Sequence, residues 1–495
     1  MKRYILAVDQ STQGTKGLLF DEAGRMCARA DRSHAQLVND QGWVEHDPEE
    51  ILENTLRVCR DTVEKAGVSP EEIAAFAISN QRETSMMWDR ETGKPIYNAI
   101  VWQCARAKDI CERPLIKMQA ETIRRKTGLQ LSPYFPAAKL AWLMENVVQA
   151  RPLAAQGRLC CGTMDAWLVY SLGEGHPFRT DYSNASRTQL FDITTLQWDE
   201  ALCQLFGIPM NALPEVTMSD GLFGMTTLGE WLKEPIPIHG VLGDSHGALF
   251  GQNCRQPGQI KATYGTGSSV MMNIGDKPKF SENGLVTSLA WGMEQKVSYV
   301  FEGNLNYTGA VISWLKKDVG LIHTDAEATE LALRANQADK TYFVPAFTGL
   351  GAPYWDSEAT GMFTGITRVT GRAELAKACL ESIAYQITDL VALMAKDAGI
   401  PVNTLRVDGG PTVSDYLMQF QSDLTCASVE VPEIQELSGM GAAYAAGIAV
   451  GLYDREQVFL GLQHRSYYAR LSEKERQRRY AGWKTAVKRV LLEEK

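Results

Sequence analysis

Short apolar and β-branched runs recur along the first 250 positions, separated by longer stretches whose apolar residues step at helical spacing. Ile73 to Ile78 reads as a strand, and Ala137 to Asn146 reads as a helix with Lys139, Leu140, Leu143 and Met144 on the helical period. Such alternation predicts an α/β architecture with a mainly parallel core sheet. In the second half, Glu374 to Lys396 predicts a long helix with Leu375, Cys379, Ile383, Gln386, Leu390 and Leu393 stepping along one face. Thr404 to Asp408 follows as a strand, Gly409-Gly410 as a tight turn and Ser414 to Leu424 as a helix. Gly251 to Gly258 reads as a loop, which divides the chain into units 1–252 and 253–495.

Two stretches share one pattern. Tyr4 to Phe20 and Ile260 to Asn273 each run apolar, then through a turn rich in Gly, Ser, Thr or Gln, then apolar again, as β-hairpins with polar tips do. Such tips gather backbone N–H groups and hydroxyls into a small concavity that suits an oligophosphate. They also serve as plain turns. The first adds Asp9 at its strand end, a carboxylate suited to a magnesium shell, and Lys16 beyond the turn, a cation suited to phosphate. No repeat of 20 to 50 residues is visible, so reuse of the hairpin points to a pair of lobes duplicated at domain scale.

Bulk composition narrows the class. The 495 residues are enough for about two to four domains, and 45% apolar with 22% charged residues is ordinary for a globular protein. A formal charge of −9 argues against a nucleic-acid partner, which asks for a basic face. The ten cysteines show no Cys-x-x-Cys pair, so reduced thiols in the cytoplasm are expected. Between Arg3 and Asp9 only Tyr4 to Val8 are apolar, too short for a signal-peptide core. No run reaches the roughly 18 apolar residues of a membrane span, so membrane insertion is not expected.

Several segments carry candidate chemistry. Asn80-Gln-Arg-Glu-Thr84 follows a strand, where α/β sheets present ligand-binding groups. Arg82 and Glu83 could there donate to and accept from adjacent hydroxyls of a polyol, or form a surface ion pair. Trp102 and Tyr134 could supply flat walls for carbon–hydrogen faces, or be core. Gly243-Asp-Ser-His-Gly247 sits at a strand-to-helix turn and admits two readings. As a nucleophile elbow it would make Ser245 the nucleophile of a serine hydrolase, with His323 or His464 as base. Alternatively Asp244 is a general base that deprotonates a hydroxyl attacking a γ-phosphoryl group. No Walker P-loop or complete Rossmann fingerprint is present.

Asp9 to Lys16, Asn80 to Glu83, Asn98 to Gln103, Asp181 to Arg187, Gly265-Thr-Gly267, Phe347 to Trp355 and Met418 to Asp423 together resemble the FGGY carbohydrate kinases. The similarity runs from Tyr4 to about Tyr453 and is strongest to members that phosphorylate glycerol. It implies two actin-like, ribonuclease-H-like lobes with a nucleotide and substrate cleft between them, ATP with Mg2+ as cofactors, and a homodimer or homotetramer. The implied reaction is phosphorylation of a terminal hydroxyl of glycerol or a closely related small polyol. By the same resemblance Asp244 takes the catalytic-base position, and Arg82, Glu83, Trp102, Tyr134, Asp244 and Ser245 fall on polyol-binding positions. Thr12, Gln13, Gly14 and Lys16 align with the first phosphate hairpin, where the family more often has Thr, Ser and Arg. Thr266, Gly309, Gly410 and Ser414 align with the remaining nucleotide contacts; Asn usually stands at Ser414. Ser245 replaces a glutamine beside the base, and Ser269 replaces an aromatic residue after the second glycine-rich tip. Both changes predict a larger, more polar acceptor site and keep open a larger polyol or ketose such as xylulose or ribulose. An actin-like structural or sensor protein would share the hairpins but have no use for Arg82 and Glu83.

Overall fold

The computed structural model describes residues 2–491. Its first large sheet holds β1 (Tyr4–Gln10), β2 (Gly14–Phe20), β3 (Met26–Ser33), β4 (Ile73–Asn80), β5 (Gly224–Thr226) and β6 (Ile236–Gly243), in the spatial order β5-β6-β4-β1-β2-β3. The link Ser11 to Gln13 is too short for a crossover, so β1 and β2 pair antiparallel, with Asp9 opposite Lys16. To run parallel to β1, β4 needs a covering helix, and α1 (Pro48–Ala66) provides it. The Asp47 side chain caps α1 by accepting from the Glu49 N–H at 2.9 Å, and Gly67 ends it at φ 67°. Ile51, Val58, Cys59 and Val63 of α1 join Leu6, Val8 and Leu19 in one core. The fit is close: a Cβ on Gly17 of β2 would lie 2.5 Å from the Val58 carbonyl oxygen. The sheet is mixed rather than mainly parallel, because the hairpins β1-β2-β3 build half of it.

The second large sheet repeats this wiring. It contains β7 (Ile260–Tyr264), β8 (Ser268–Gly275), β9 (Val286–Met293), β10 (Lys296–Leu305), β11 (Thr404–Asp408), β12 (Ser428–Pro432) and β13 (His464–Tyr467), ordered β9-β10-β8-β7-β11-β12-β13. As in the first sheet, three antiparallel strands (β7, β8, β10) meet two parallel strands (β11, β12) and an antiparallel edge strand (β13), with β9 added outside. The two polar tips therefore occupy matching places in two sheets of one topology.

The expected helices form, with small shifts at their ends. The helix read from Ala137 starts one residue earlier and spans Pro136–Asn146. After α2 (Asp244–Gly251) and α3 (Gly309–Lys317) comes the long helix α4 (Arg372–Ala398), two residues longer at each end than its apolar period predicts. Glu374 reaches back to the Gly371 N–H at 2.8 Å, and Gly399 closes the other end at φ 68°. By length and hydropathy α4 could cross a membrane, but 83% of its apolar window is buried inside the fold. Ser414 caps α5 (Asp415–Thr425), accepting from the Leu417 N–H at 3.3 Å.

One element crosses between the halves. Helix α6 (Leu437–Ala449) packs on β1, β4 and β6 of the first sheet and against α2. Its small residues allow this: a Cβ on Gly441 would lie 1.9 Å from the Gly247 carbonyl oxygen. A cut after residue 252 separates the two sheets but not this helix, and α6 from the second half pins the helix that starts at Asp244.

Candidate active site

Strand β4 ends at Asn80, and the chain turns sharply through Gln81 to Thr84 before Ser85–Asp89 continues as a strand. Glu83 sits in that turn at φ 59°, a strained region for a residue with a side chain. Arg82 and Glu83 are 7% and 2% exposed, so they are not a surface ion pair, and their partners come from elsewhere. The Arg82 guanidinium binds both oxygens of Glu302 on β10, at 3.1 and 3.0 Å, and its Nε lies 3.3 Å from Asp244 Oδ1. Arg187 donates to Glu83 Oε1 at 2.6 Å and to Glu302 Oε2 at 2.8 Å. Burial alone would raise the Glu302 carboxyl, but Arg187 and Arg82 outweigh it and hold it well below the usual range. Taking one partner out of such a buried network strands its opposite charge, at a cost of about 3–5 kcal/mol.

Arg187 and Glu302 were given no role from sequence. Arg187 closes the block Asp181 to Arg187, and Glu302 is a lone carboxylate that directly follows the apolar run Tyr299 to Phe301 of β10. An isolated carboxylate in the middle of a buried strand was the available signal.

Asp244 is the first residue of α2. Its Oδ1 accepts from the Ser245 N–H at 2.6 Å and faces Arg82, while Oδ2 has no hydrogen-bond partner among the described residues. Its side chain is 36% exposed, the most open of the carboxylates gathered here. One oxygen is thus oriented and the other left free. Ser245 makes no hydrogen bond to a histidine among the described residues; His323 is exposed, and His464 lies on the edge strand β13. A serine hydrolase has no nucleophile–base pair here.

Trp102 and Tyr134 meet edge to face at 5.6 Å, and the indole N–H donates to Thr12 Oγ1 at 2.9 Å, tying this wall to the first hairpin tip. Lys139, fully buried, donates to the carbonyls of Pro133 (2.7 Å) and Tyr134 and so fixes the loop that carries Tyr134. Burial pushes its amine down to about 7.

At the first tip, Asp9 accepts from Ser79 Oγ at 2.9 Å, and Lys16 Nζ stands 3.9 Å away. Lys16 itself is engaged by Glu436 at 2.7 Å, and Arg29 binds the same carboxylate. Burial pushes the Asp9 carboxyl up to about 6; Lys16 and Ser79 lower it, and the nearby charges of Asp244 and Glu436 add to the rise. A buried carboxylate short of positive charge fits a divalent cation. Among the described residues no three His, Cys, Asp or Glu side chains converge on a metal position, so phosphate and water would complete a magnesium shell, as that ion prefers.

At the second tip, Thr266, Gly309, Gly410 and Ser414 line a cavity of about 1220 Å3, together with Tyr264 and Arg470. The Gly309 N–H donates to the Gly265 carbonyl at 2.8 Å, and the Ser414 hydroxyl pairs with Thr329 Oγ1 at 2.6 Å. Gly409 at φ 99° lets β11 turn over the tip; a Cβ there would lie 2.0 Å from the Tyr264 carbonyl oxygen. Thr12, Gln13, Gly14 and Lys16 do not line this cavity but stand at the first tip. Asp244 lies within electrostatic reach of Asp9 on one side and of Lys261, on β7, on the other.

Residues 4–251 match the N-terminal domain of the FGGY family of carbohydrate kinases, and residues 260–450 match its C-terminal domain. Glycerol kinase 2 of Thermotoga maritima is 46% identical over the whole of both chains. The glycerol kinase of Symbiobacterium thermophilum is 46% identical over 99% of this chain and 98% of its own. The solved structure of Plasmodium falciparum glycerol kinase with ADP superposes with a TM-score of 0.94 at 35% identity, covering 99% of each chain. A xylulose kinase structure from Lactobacillus acidophilus, 23% identical with a TM-score of 0.87 over 98% of this chain and 97% of that one, shares the fold. The two like-wired lobes, the carboxylate between their tips and these full-length similarities lead to one conclusion: the chain belongs to the FGGY family of carbohydrate kinases.

Proposed function

We propose that this enzyme transfers the γ-phosphoryl group of ATP to a terminal hydroxyl of glycerol or a closely related small polyol, giving glycerol 3-phosphate or its analogue. Phosphoryl transfer asks a protein mainly for positioning and charge stabilisation. Thr266, Gly309, Gly410 and Ser414 would hold the nucleotide in the large cavity, and the first tip, Thr12 to Lys16, would meet its phosphates. Asp9 would hold Mg2+, which when bound neutralises phosphate charge. Asp244 accepts the proton of the attacking hydroxyl through its free Oδ2. Arg82 donates to one of the remaining hydroxyls and Glu83 accepts from another, while Trp102 and Tyr134 border the carbon chain. Approach of the lobes would exclude water, which would otherwise consume ATP by hydrolysis.

The observation that carries this reading is Asp244: one oxygen is oriented by Arg82 at 3.3 Å, and the group stays open between two phosphate-type tips. The full-length similarity to glycerol kinases favours glycerol as the acceptor. The test is acceptor-stimulated ADP release across glycerol, dihydroxyacetone, erythritol, xylulose and ribulose, compared by kcat/KM. Glycerol should lead xylulose and ribulose. Silence across the whole panel would instead favour a nucleotide-dependent structural or sensor protein.

A further inference from the structure

Among the described residues, two buried polar groups beside the proposed acceptor site have no hydrogen-bond partner. His246 is fully buried, and neither of its ring nitrogens is hydrogen-bonded among the described residues. Ser269 Oγ is likewise buried and unpaired. Such groups are rare in folded proteins and call for a ligand or water to complete them.

Both belong to the walls around Arg82 and Glu302. Ser269 pairs across the sheet with Asn304 of β10 and Thr263 of β7, while Glu302 pairs with Met271 of β8. Directly paired residues and residues two apart share a sheet face, so Ser269 projects from the same face as Glu302, as its diagonal neighbour. That face meets the first lobe: Met271 packs with Leu242, Ala248 and Leu249. His246 stands on the opposing α2, two residues after Asp244, with its ring and the Arg82 stem both packed around Gly243. Burial and the neighbouring Arg82 keep the imidazole neutral, so it offers one donor and one acceptor.

Counting polar groups shows what they could take. Asp244, Arg82 and Glu83 together answer three hydroxyls, the number glycerol has. Ser269 and His246 are surplus to that, and between them they match one further hydroxyl or carbonyl, which both donates and accepts or accepts alone. We infer that Ser269 and His246 form an additional oxygen-binding subsite, so that the enzyme phosphorylates linear four-carbon acceptors with an oxygen on every carbon, tetritols or a ketotetrose, as well as glycerol. This rests on the kinase reading above and names the acceptor class of the same site. Asn304, exposed beside Ser269, marks the side from which the longer chain enters.

The test measures kcat/KM for glycerol, erythritol, threitol and erythrulose with the wild type, Ser269→Ala and Ser269→Phe. At least one four-carbon acceptor should reach within about tenfold of glycerol, and whether a tetritol or the ketotetrose does so identifies the oxygen at the subsite. Filling the subsite with Ser269→Phe should lower the ratio of four-carbon to glycerol kcat/KM by about tenfold or more, within the range one pocket contact commands. Ser269→Ala, which removes only the hydroxyl, should lower it about threefold to tenfold and serves if the larger side chain prevents folding. Glycerol turnover with every four-carbon acceptor below about 1% of it, or a ratio that neither variant moves, means that the two groups hold only ordered water and overturns the inference while the kinase reading stands. ADP release with no acceptor at all overturns both.

Discussion

The two hairpin tips have one topology and different electrostatics. The tip between β1 and β2 is flanked by Asp9, Lys16, Arg29 and Glu436, a set of ion pairs packed against buried carboxylates. The tip between β7 and β8 offers Gly265, Thr266 and Gly267 beside the start of α3, with glycines where backbones approach within van der Waals contact. Under the proposed function, the duplicated backbone wiring would set where a phosphate chain lies, and side chains would set what each end does. The charged tip suits a cation and the transferring end of the nucleotide; the neutral tip, opening on the large cavity, suits its nucleoside end.

Substitutions separate these roles. The largest effect belongs to the residue between the tips: Asp244→Asn should lower kcat about 10³-fold or more, near the upper range of positioned proton transfer, with ADP affinity unchanged by calorimetry. A variant turning over at the wild-type rate would remove Asp244 from the mechanism. Next, Asp9→Asn should cost about 10²-fold in kcat, several kcal/mol of charge stabilisation being at stake, with part of the loss recovered at higher magnesium. No dependence of the deficit on magnesium would make the two tips electrostatically alike. Third, Asp9 gives the ligand-free protein a pH signature. Its folded-state value, about 6, lies above the ordinary 3.8, so it favours folding most below about pH 4. That contribution is lost as pH rises through about 6. Relative to Asp9→Asn, the wild type should lose roughly 2–3 kcal/mol of unfolding free energy between about pH 4 and pH 7, as measured in urea. A difference that grows in the other direction would mean that the group is not desolvated. Smallest, Thr266→Ala at the neutral tip should weaken KM for ATP by about tenfold or less, the worth of one hydrogen bond, and leave the magnesium dependence unmoved. A loss as large as that of Asp9→Asn would erase the distinction between the tips.

Much of the scaffold was legible without coordinates. Strand Thr404–Asp408 falls where the sequence pattern puts it, and both hairpins form. The helix read from Ser414 begins with that residue as its cap, because a serine oxygen before an apolar period is a local device. The sheet's mixed character was missed: alternating strands and helices give no sign that antiparallel hairpins build one half of each sheet. The candidate site was half legible. Arg82 and Glu83 were recognisable as a polar pair at a strand end, but their partners were not, since Glu302 stands 220 positions from Arg82 and Arg187 stands 104 from Glu83. Lys16 reads as a free phosphate cation until the fold brings Glu436, 420 positions away, onto it.

Alone, the order of residues determined the strands, helices, caps and turns, the reuse of one hairpin in two halves, and the motifs that mark the kinase family. These are short-range matters, set by side-chain period, backbone freedom at glycine and hydrogen bonds between near neighbours. Tertiary structure alone decided which charges are paired and which are left over. It buried Glu302 between two arginines, left one oxygen of Asp244 without a hydrogen bond among the described residues, and carried α6 back across the first sheet. Those outcomes depend on distances between groups hundreds of residues apart and on how much water each loses, and neither quantity exists until the chain has folded.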